Sequence, residues 1–207
     1  MVIGLTGKYC SGKNVAEAVL TEYGIPSIDV DKLGHLALDA QIDRIEEAFG
    51  ASVIADGGHG VDRTVNRRAL GSIVFADSAA LARLESISHP WMKEETARLV
   101  DEYKAAGAKH VVINAAILHK MKLDGICDCI IWIEAPLFSR IHRSLQRDNA
   151  GLFSVLKRIY AQRQLKPKPS LNSVDIYRVG NGSDSDTLKR NLDAVLANIE
   201  QKGKDGR

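Results

Sequence analysis

Near the start of the chain, Gly7-Lys8-Tyr9-Cys10-Ser11-Gly12-Lys13-Asn14 sets two glycines and a lysine at the spacing GxxxxGK. That spacing suits phosphate chemistry. Glycines let successive backbone N–H groups turn toward an anion, a following helix adds its partial positive charge, and the lysine reaches the β- and γ-phosphates. The bland alternative is a glycine-rich turn followed by a solvated lysine. Asn14 stands where a phosphate loop ordinarily carries Ser or Thr, whose hydroxyl goes to Mg²⁺. Its amide oxygen either takes that place, directly or through water, or Asn14 simply starts the helix.

A second group of chemical interest is Ile28-Asp29-Val30-Asp31. In an extended strand, residues two apart point the same way, so both carboxylates can face the phosphate loop. There, a carboxylate accepts a proton from a substrate hydroxyl or holds Mg²⁺ through water. Asp31 reads equally well as the N-cap of a following helix. Farther on, Arg140, Arg143 and Arg147 fall at i, i+3 and i+7, which puts three guanidiniums on one helical face. They are either solvated surface or a clamp for developing phosphoryl charge. His89 precedes Pro90 and is either a binding residue or a helix-boundary residue. His59, His110, His119 and His142 form no metal-binding spacing.

These residues need a scaffold, and the hydrophobic pattern supplies one. Short apolar runs at residues 2–6, 27–30, 111–113, 130–133 and 174–179 read as strands, the middle ones buried on both faces. Helical spacing appears at residues 14–23, 41–49, 66–75, 79–86, 92–106, 139–147 and 187–201, the last opened by a capping box at 183–186. Strand–helix alternation implies a parallel sheet with its ligand site at the carboxyl ends of the strands. Residues 1–31 and 108–207 are expected to form this core, with a lid at about 140–170, and residues 32–107 to form a mostly helical insert.

Length and composition agree with this picture. A chain of 207 residues exceeds one average domain and is long enough for a core without disulfides or structural metals. With 28 basic against 26 acidic residues, no blanket charge favours nucleic acid, and basic residues are not interleaved with aromatics. No apolar run approaches a membrane span and no leader is visible, so no membrane partner is expected. Cys10, Cys127 and Cys129 are an odd count without zinc or redox spacing, pointing to free thiols in a reducing cytoplasm.

With the elements in place, the chain resembles the dephospho-coenzyme A kinase family, a group of P-loop kinases. The opening GLTGKYCSGK and the later IDVDKLGH match its loop and its acidic strand end. Val61-Asp62-Arg63 with Leu70 and Val74-Phe75, then the stretch from Leu84 to Pro90, match DR…L…VF and LExIxHP signatures inside the insert. Arg143, Gln146-Arg147-Asp148 and Asn181-Gly182-Ser183 continue the match in order, so that it spans nearly the whole chain. The resemblance implies an α/β P-loop NTPase fold, with a five-stranded parallel sheet, a helical acceptor-binding insert and a lid. It implies ATP-dependent phosphorylation of the 3′-hydroxyl of dephospho-CoA, with Mg²⁺ as cofactor.

Carried over position by position, the resemblance makes Lys13, Asp31, Arg143 and Arg147 catalytic, with Asp31 the base. ATP phosphates fall on Gly7, Lys8, Tyr9, Cys10, Ser11, Gly12, Lys13 and Asn14, with Asn14 on the metal. The acceptor falls on Asp31, His35, Arg63, His89 and Leu118. The chain departs from the family at Asn14, at Lys8 in place of a small residue, and at residues 114–120, NAAILHK, where the family usually reads DxPLLFE. The strand-end aspartate is therefore Asn114, and the later acidic position is Lys120. The segment 165–171, with Pro167 and Pro169, also differs from a helical lid end. Two other readings stay open: a kinase for another nucleotide-like acceptor, and a catalytically weak nucleotide-binding or regulatory protein.

Overall fold

The computed structural model describes residues 1–55, 63–148, 159, 174–182 and 185–205. Contacts divide the chain into two compact units: Met1–Ile28 with Val100–Arg207, and Asp29–Leu99.

The first unit is built on the sequence's most apolar segments. Strand β1 (Val2–Gly7) is buried at every position, as are all four residues of β5 (Val111–Asn114) and the first five of β6 (Cys129–Glu134). Such runs can only sit inside a sheet covered on both faces. With β2 (Ser27–Asp29) and β7 (Asp175–Gly180) they form a five-stranded sheet in the order β2-β5-β1-β6-β7. The pairs β1–β5, β1–β6 and β6–β7 are parallel, with Leu5 opposite Asn114 and Gly7 opposite Ile133. Helices α1 (Lys13–Glu22) and α7 (Ser185–Asp205) bring Ala16, Leu20, Leu188, Leu192 and Ile199 onto Ile3, Leu5, Ile131 and Ile133. Each such fully buried Leu or Ile contributes about 1.5–3 kcal/mol. Leu118 fills the space above Gly4, where an added Cβ would stand 2.8 Å from its Cδ2.

The second unit holds α2 (Val30–Ala40), α3 (Ile42–Phe49), the short antiparallel strands β3 (Ile54–Ala55) and β4 (Thr64–Val65), and α4 (Arg67–Val74). The long α5 (Ser78–Ala105) starts in this unit. Its core gathers Ile45, Val53, Val65, Leu70, Val74 and Ile87.

Three local readings change here. The second strand stops at Asp29, because the Asp29 carboxylate accepts N–H groups from Asp31 and Lys32, at 3.0 and 3.2 Å, and opens α2. Asp29 is thus the N-cap and Asp31 lies in the first helical turn, so the two do not alternate along an extended strand. The two helices read at 79–86 and 92–106 are one. Pro90 lacks the N–H for a carbonyl one turn back, a cost of about 3 kcal/mol. The buried side chains of Ile87 and Met92 continue the apolar face across that point and offset it. The last helix runs Ser185–Asp205, longer than the 187–201 expected. Ser183 of its expected capping box, Val61 and Asp62 of the DR signature, the Arg147 side chain and most of the expected lid lie outside the described residues.

Candidate functional site

The site begins where β1 ends. Gly7 is required there, since a Cβ would lie 2.6 Å from both the Ile133 carbonyl oxygen and Ser11 Oγ. The chain then turns sharply: Ser11 N–H donates to the Lys8 carbonyl at 3.0 Å, Cys10 adopts φ 57° and Gly12 φ 94°. Alternation into the left-handed region makes a nest of inward-facing N–H groups. No side chain caps α1 behind Gly12, and no acidic residue occupies its first turn. Val15 and Ala16 N–H both turn back to the Gly12 carbonyl, at 3.0 and 3.1 Å, so the amides at the very start of α1, ahead of Val15, are the ones open to a ligand, and the helix dipole favours an anion.

What orients the loop is a set of contacts on its carbonyl side. Arg140, only 6% exposed, donates Nε–H to the Tyr9 carbonyl at 2.7 Å. The Ser11 carbonyl accepts from Asn181 Nδ2 at 2.9 Å and from Arg143 Nη1 at 3.3 Å. Arg143 Nη2 also reaches the Asn181 carbonyl at 3.0 Å and Asn181 Oδ1 at 3.3 Å. Tyr9 Oη and Ser144 Oγ lie 2.9 Å apart. In a planar peptide the C=O and N–H point opposite ways, so carbonyls held from outside turn the amides inward. Burial lowers the Arg140 guanidinium pKa from its ordinary value, and its Nη2 is buried without a partner among the described residues. Beside this loop, Phe138, Ser139, His142, Arg143 and Gly182 line a cleft of about 400 Å³.

On α1, one turn past Lys13, a second polar cluster begins. The half-buried Glu17 accepts from Ser27 Oγ at 2.6 Å and from Asn114 Nδ2 at 2.5 Å. Asn114 Oδ1 and Ser11 Oγ are both buried and without partners among the described residues. Among those residues no group of three or more His, Cys, Asp or Glu side chains could hold a metal by itself. A hard cation that keeps its waters and is carried by nucleotide phosphates fits better, because it needs only one or two protein oxygens. The Asn14 amide is exposed in the first turn of α1 and can supply one.

In the second unit, Asp31 and His35 are exposed on α2 and one turn apart, so they share a face. The Arg63 guanidinium is held by Asp43, at 3.1 Å, and by Glu46. His89 is half-buried within α5. In the first unit, Leu118 is 1% exposed. Its side chain belongs to the core, and any acceptor contact there falls to its backbone.

The structure places Arg143 on the carbonyl side of the loop at residues 7–14, through its bond to the Ser11 carbonyl. It adds Glu17 and Ser27, which sequence reasoning gave no role, and it gives Arg140 and Asn181 a place holding the loop carbonyls. Arg140 was visible as the first member of the arginine face. Asn181 stood in the NxGS match, but nothing local showed that it binds Ser11, and Glu17 carried no signal, because their partners lie far away in the chain.

Comparison with known proteins places these observations. A family model described as dephospho-CoA kinase matches residues 1–181. A protein from Latilactobacillus sakei named dephospho-CoA kinase is 30% identical over 97% of this chain and 96% of its own. One of the same name from Anaeromyxobacter dehalogenans is 32% identical over 96% of this chain and 92% of its own. A crystal structure from Thermus thermophilus superposes with TM-score 0.75 at 28% identity, covering 96% of this chain and 97% of that one. A dephospho-CoA kinase structure from Campylobacter jejuni, at 19% identity and TM-score 0.70 over 98% of each chain, shares the fold.

Proposed function

The chain belongs to the dephospho-CoA kinase family, and from that premise we propose that it moves the γ-phosphoryl group of ATP to the 3′-hydroxyl of dephospho-CoA, giving coenzyme A. The observation that carries this reading is the loop at residues 8–12, whose Tyr9 and Ser11 carbonyls are held from behind by Arg140, Arg143 and Asn181, which turns the following Cys10 and Gly12 amides the opposite way.

Phosphoryl transfer asks mainly for positioning and charge neutralisation. Loop amides and the α1 N-terminus hold the β-phosphate, and Lys13 reaches the β- and γ-oxygens. Arg143 keeps that cradle in shape and, with Arg147, brings positive charge to the transferred group. The cleft of Phe138, His142 and Gly182 lies where the nucleotide base can rest on an exposed aromatic ring. Asn14 would hold a Mg²⁺ ion that arrives with ATP, which would neutralise phosphate charge. Asp31 accepts the proton of the acceptor hydroxyl. His35, Arg63 and His89 serve the acceptor, Arg63 after exchanging its bonds to Asp43 and Glu46 for a substrate anion.

We place the reaction in the cytoplasm. The thiols of Cys127 and Cys129 are buried and free, and no helix among the described residues is long and apolar enough to cross a membrane. The departures at Asn14, Asn114 and Lys120 motivate a second reading, a regulatory nucleotide binder. Replacing Asp31 by Asn separates roles at the acceptor. A base loses kcat with ATP affinity retained, whereas equal loss of both marks a structural residue of α2.

A further inference from the structure

The Glu17–Asn114 pair is unexplained by phosphate binding alone. A carboxylate only accepts hydrogen bonds, so the nitrogen of the Asn114 amide must face Glu17, as the 2.5 Å contact shows. Ser27 Oγ donates to the other carboxylate oxygen and fixes its plane. Asn114 Oδ1 is thereby turned away from Glu17. The residue is 1% exposed, and this oxygen has no donor among the described residues, a condition that native interiors rarely leave unanswered.

Its place in the fold says what answers it. Asn114 is the last residue of β5, opposite Leu5 of β1, two residues before Gly7 opens the loop. Glu17 lies one helical turn beyond Lys13 on α1. The orphaned carbonyl therefore stands at the carboxyl end of the sheet, under the first turns of α1, where ligands of such sheets gather. Where relatives of the resemblance usually carry an aspartate, this chain has split the task. The negative charge sits on the helix and a neutral acceptor on the strand.

We propose that Asn114 Oδ1 accepts a hydrogen bond from a water of the divalent cation that accompanies ATP, and that Glu17 is the positioning residue that fixes the amide in that orientation. This rests on the phosphoryl-transfer reading above. It accounts for an Asn rather than an Asp at position 114: a second carboxylate against Glu17 would have no donor between the two oxygens. Exchanging the pair should move the charge onto the strand while keeping one donor and one carboxylate in contact.

The test measures Mn²⁺ binding by electron paramagnetic resonance in the presence of a non-hydrolysable ATP analogue, with melting temperature recorded separately without nucleotide. Asn114→Leu should weaken Mn²⁺ binding by about tenfold. Asn114→Asp alone should melt lower than wild type. The double variant E17Q/N114D should melt close to wild type and bind Mn²⁺ about threefold to tenfold more tightly, because a charged acceptor then faces the metal's water. A merely structural pair predicts no such gain. Mn²⁺ affinity within twofold of wild type in both Asn114→Leu and the double variant overturns the proposal. Wild-type protein that binds no Mn²⁺ with the analogue overturns the phosphoryl-transfer reading, and this proposal with it.

Discussion

Arg143 and Asn181 share one acceptor. The Ser11 carbonyl takes a hydrogen bond from each, at 3.3 and 2.9 Å, while Arg143 also binds the backbone and side-chain oxygens of Asn181. Residues from α6 (Leu137–Asp148) and from the turn after β7 thus hold the middle of the phosphate loop.

Removing one partner should loosen that loop. Asn181→Ala is expected to weaken ATP binding by roughly 5- to 100-fold, the range for losing one hydrogen bond and exposing its buried mate. Arg143→Lys should do likewise, since an ammonium cannot span both acceptors. Calorimetric Kd values for the two singles and the double should be non-additive by about 0.5–3 kcal/mol. Additive losses would mean that the two contacts act separately.

Gly12 admits no side chain. Its φ of 94° costs another residue about 1–2 kcal/mol, and an added Cβ would lie 1.9 Å from Asn181 Nδ2. Gly12→Ala should therefore lose at least about 10² in ATP affinity while the sheet still folds. Circular dichroism with nucleotide titration checks both halves, and near-normal ATP affinity would contradict the loop geometry.

The thiols should divide into two classes. Burial pushes the Cys127 and Cys129 thiols up to about 12, which leaves them protonated and shielded at pH 8. Cys10 is half-buried in the loop. Titration with an aromatic disulfide should label Cys10 in the folded protein, more slowly when ATP is present, and the other two only after unfolding. Labelling of all three together in the native state would be the contrary result.

His110 should make stability fall in mild acid. Burial, followed by the Met1 ammonium and Lys109, holds its imidazole below the usual 6.5, and Glu200 opposes this only weakly from 3.7 Å. With the folded pKa lowered, the unfolded chain binds the proton first. Its contribution is thus full above pH 6.5 and disappears as pH falls toward the lower folded value. Melting temperatures between pH 5 and 7.5 should drop on the acid side, and His110→Gln should flatten that slope. An equal slope in the variant would assign it to other groups.

The central strands and the loop were legible because their signals are local. Val111, Val112 and Ile113 can only be an interior strand, and glycines at 7 and 12 mark a turn whose backbone no other residue fits. The start of α2 was not legible, because an Asp before a short apolar run serves equally as strand end and as helix cap, and only its hydrogen bonds decide. Pro90 misled for a similar reason: its local cost is certain, but the burial of Ile87 and Met92 that overrides it is a tertiary fact. The clamp of Ser11 by Asn181 and the pairing of Glu17 with Asn114 join residues far apart in sequence, and no periodicity encodes them.

The most direct test of the account is turnover. Purified protein supplied with [γ-³²P]ATP, Mg²⁺ and dephospho-CoA should place label on the 3′-oxygen of the product, and Lys13→Ala should lower kcat by at least about 10²-fold, as losing a transition-state donor does elsewhere. Binding of both substrates without labelled product, or a Lys13→Ala variant within a few-fold of wild type, would contradict it.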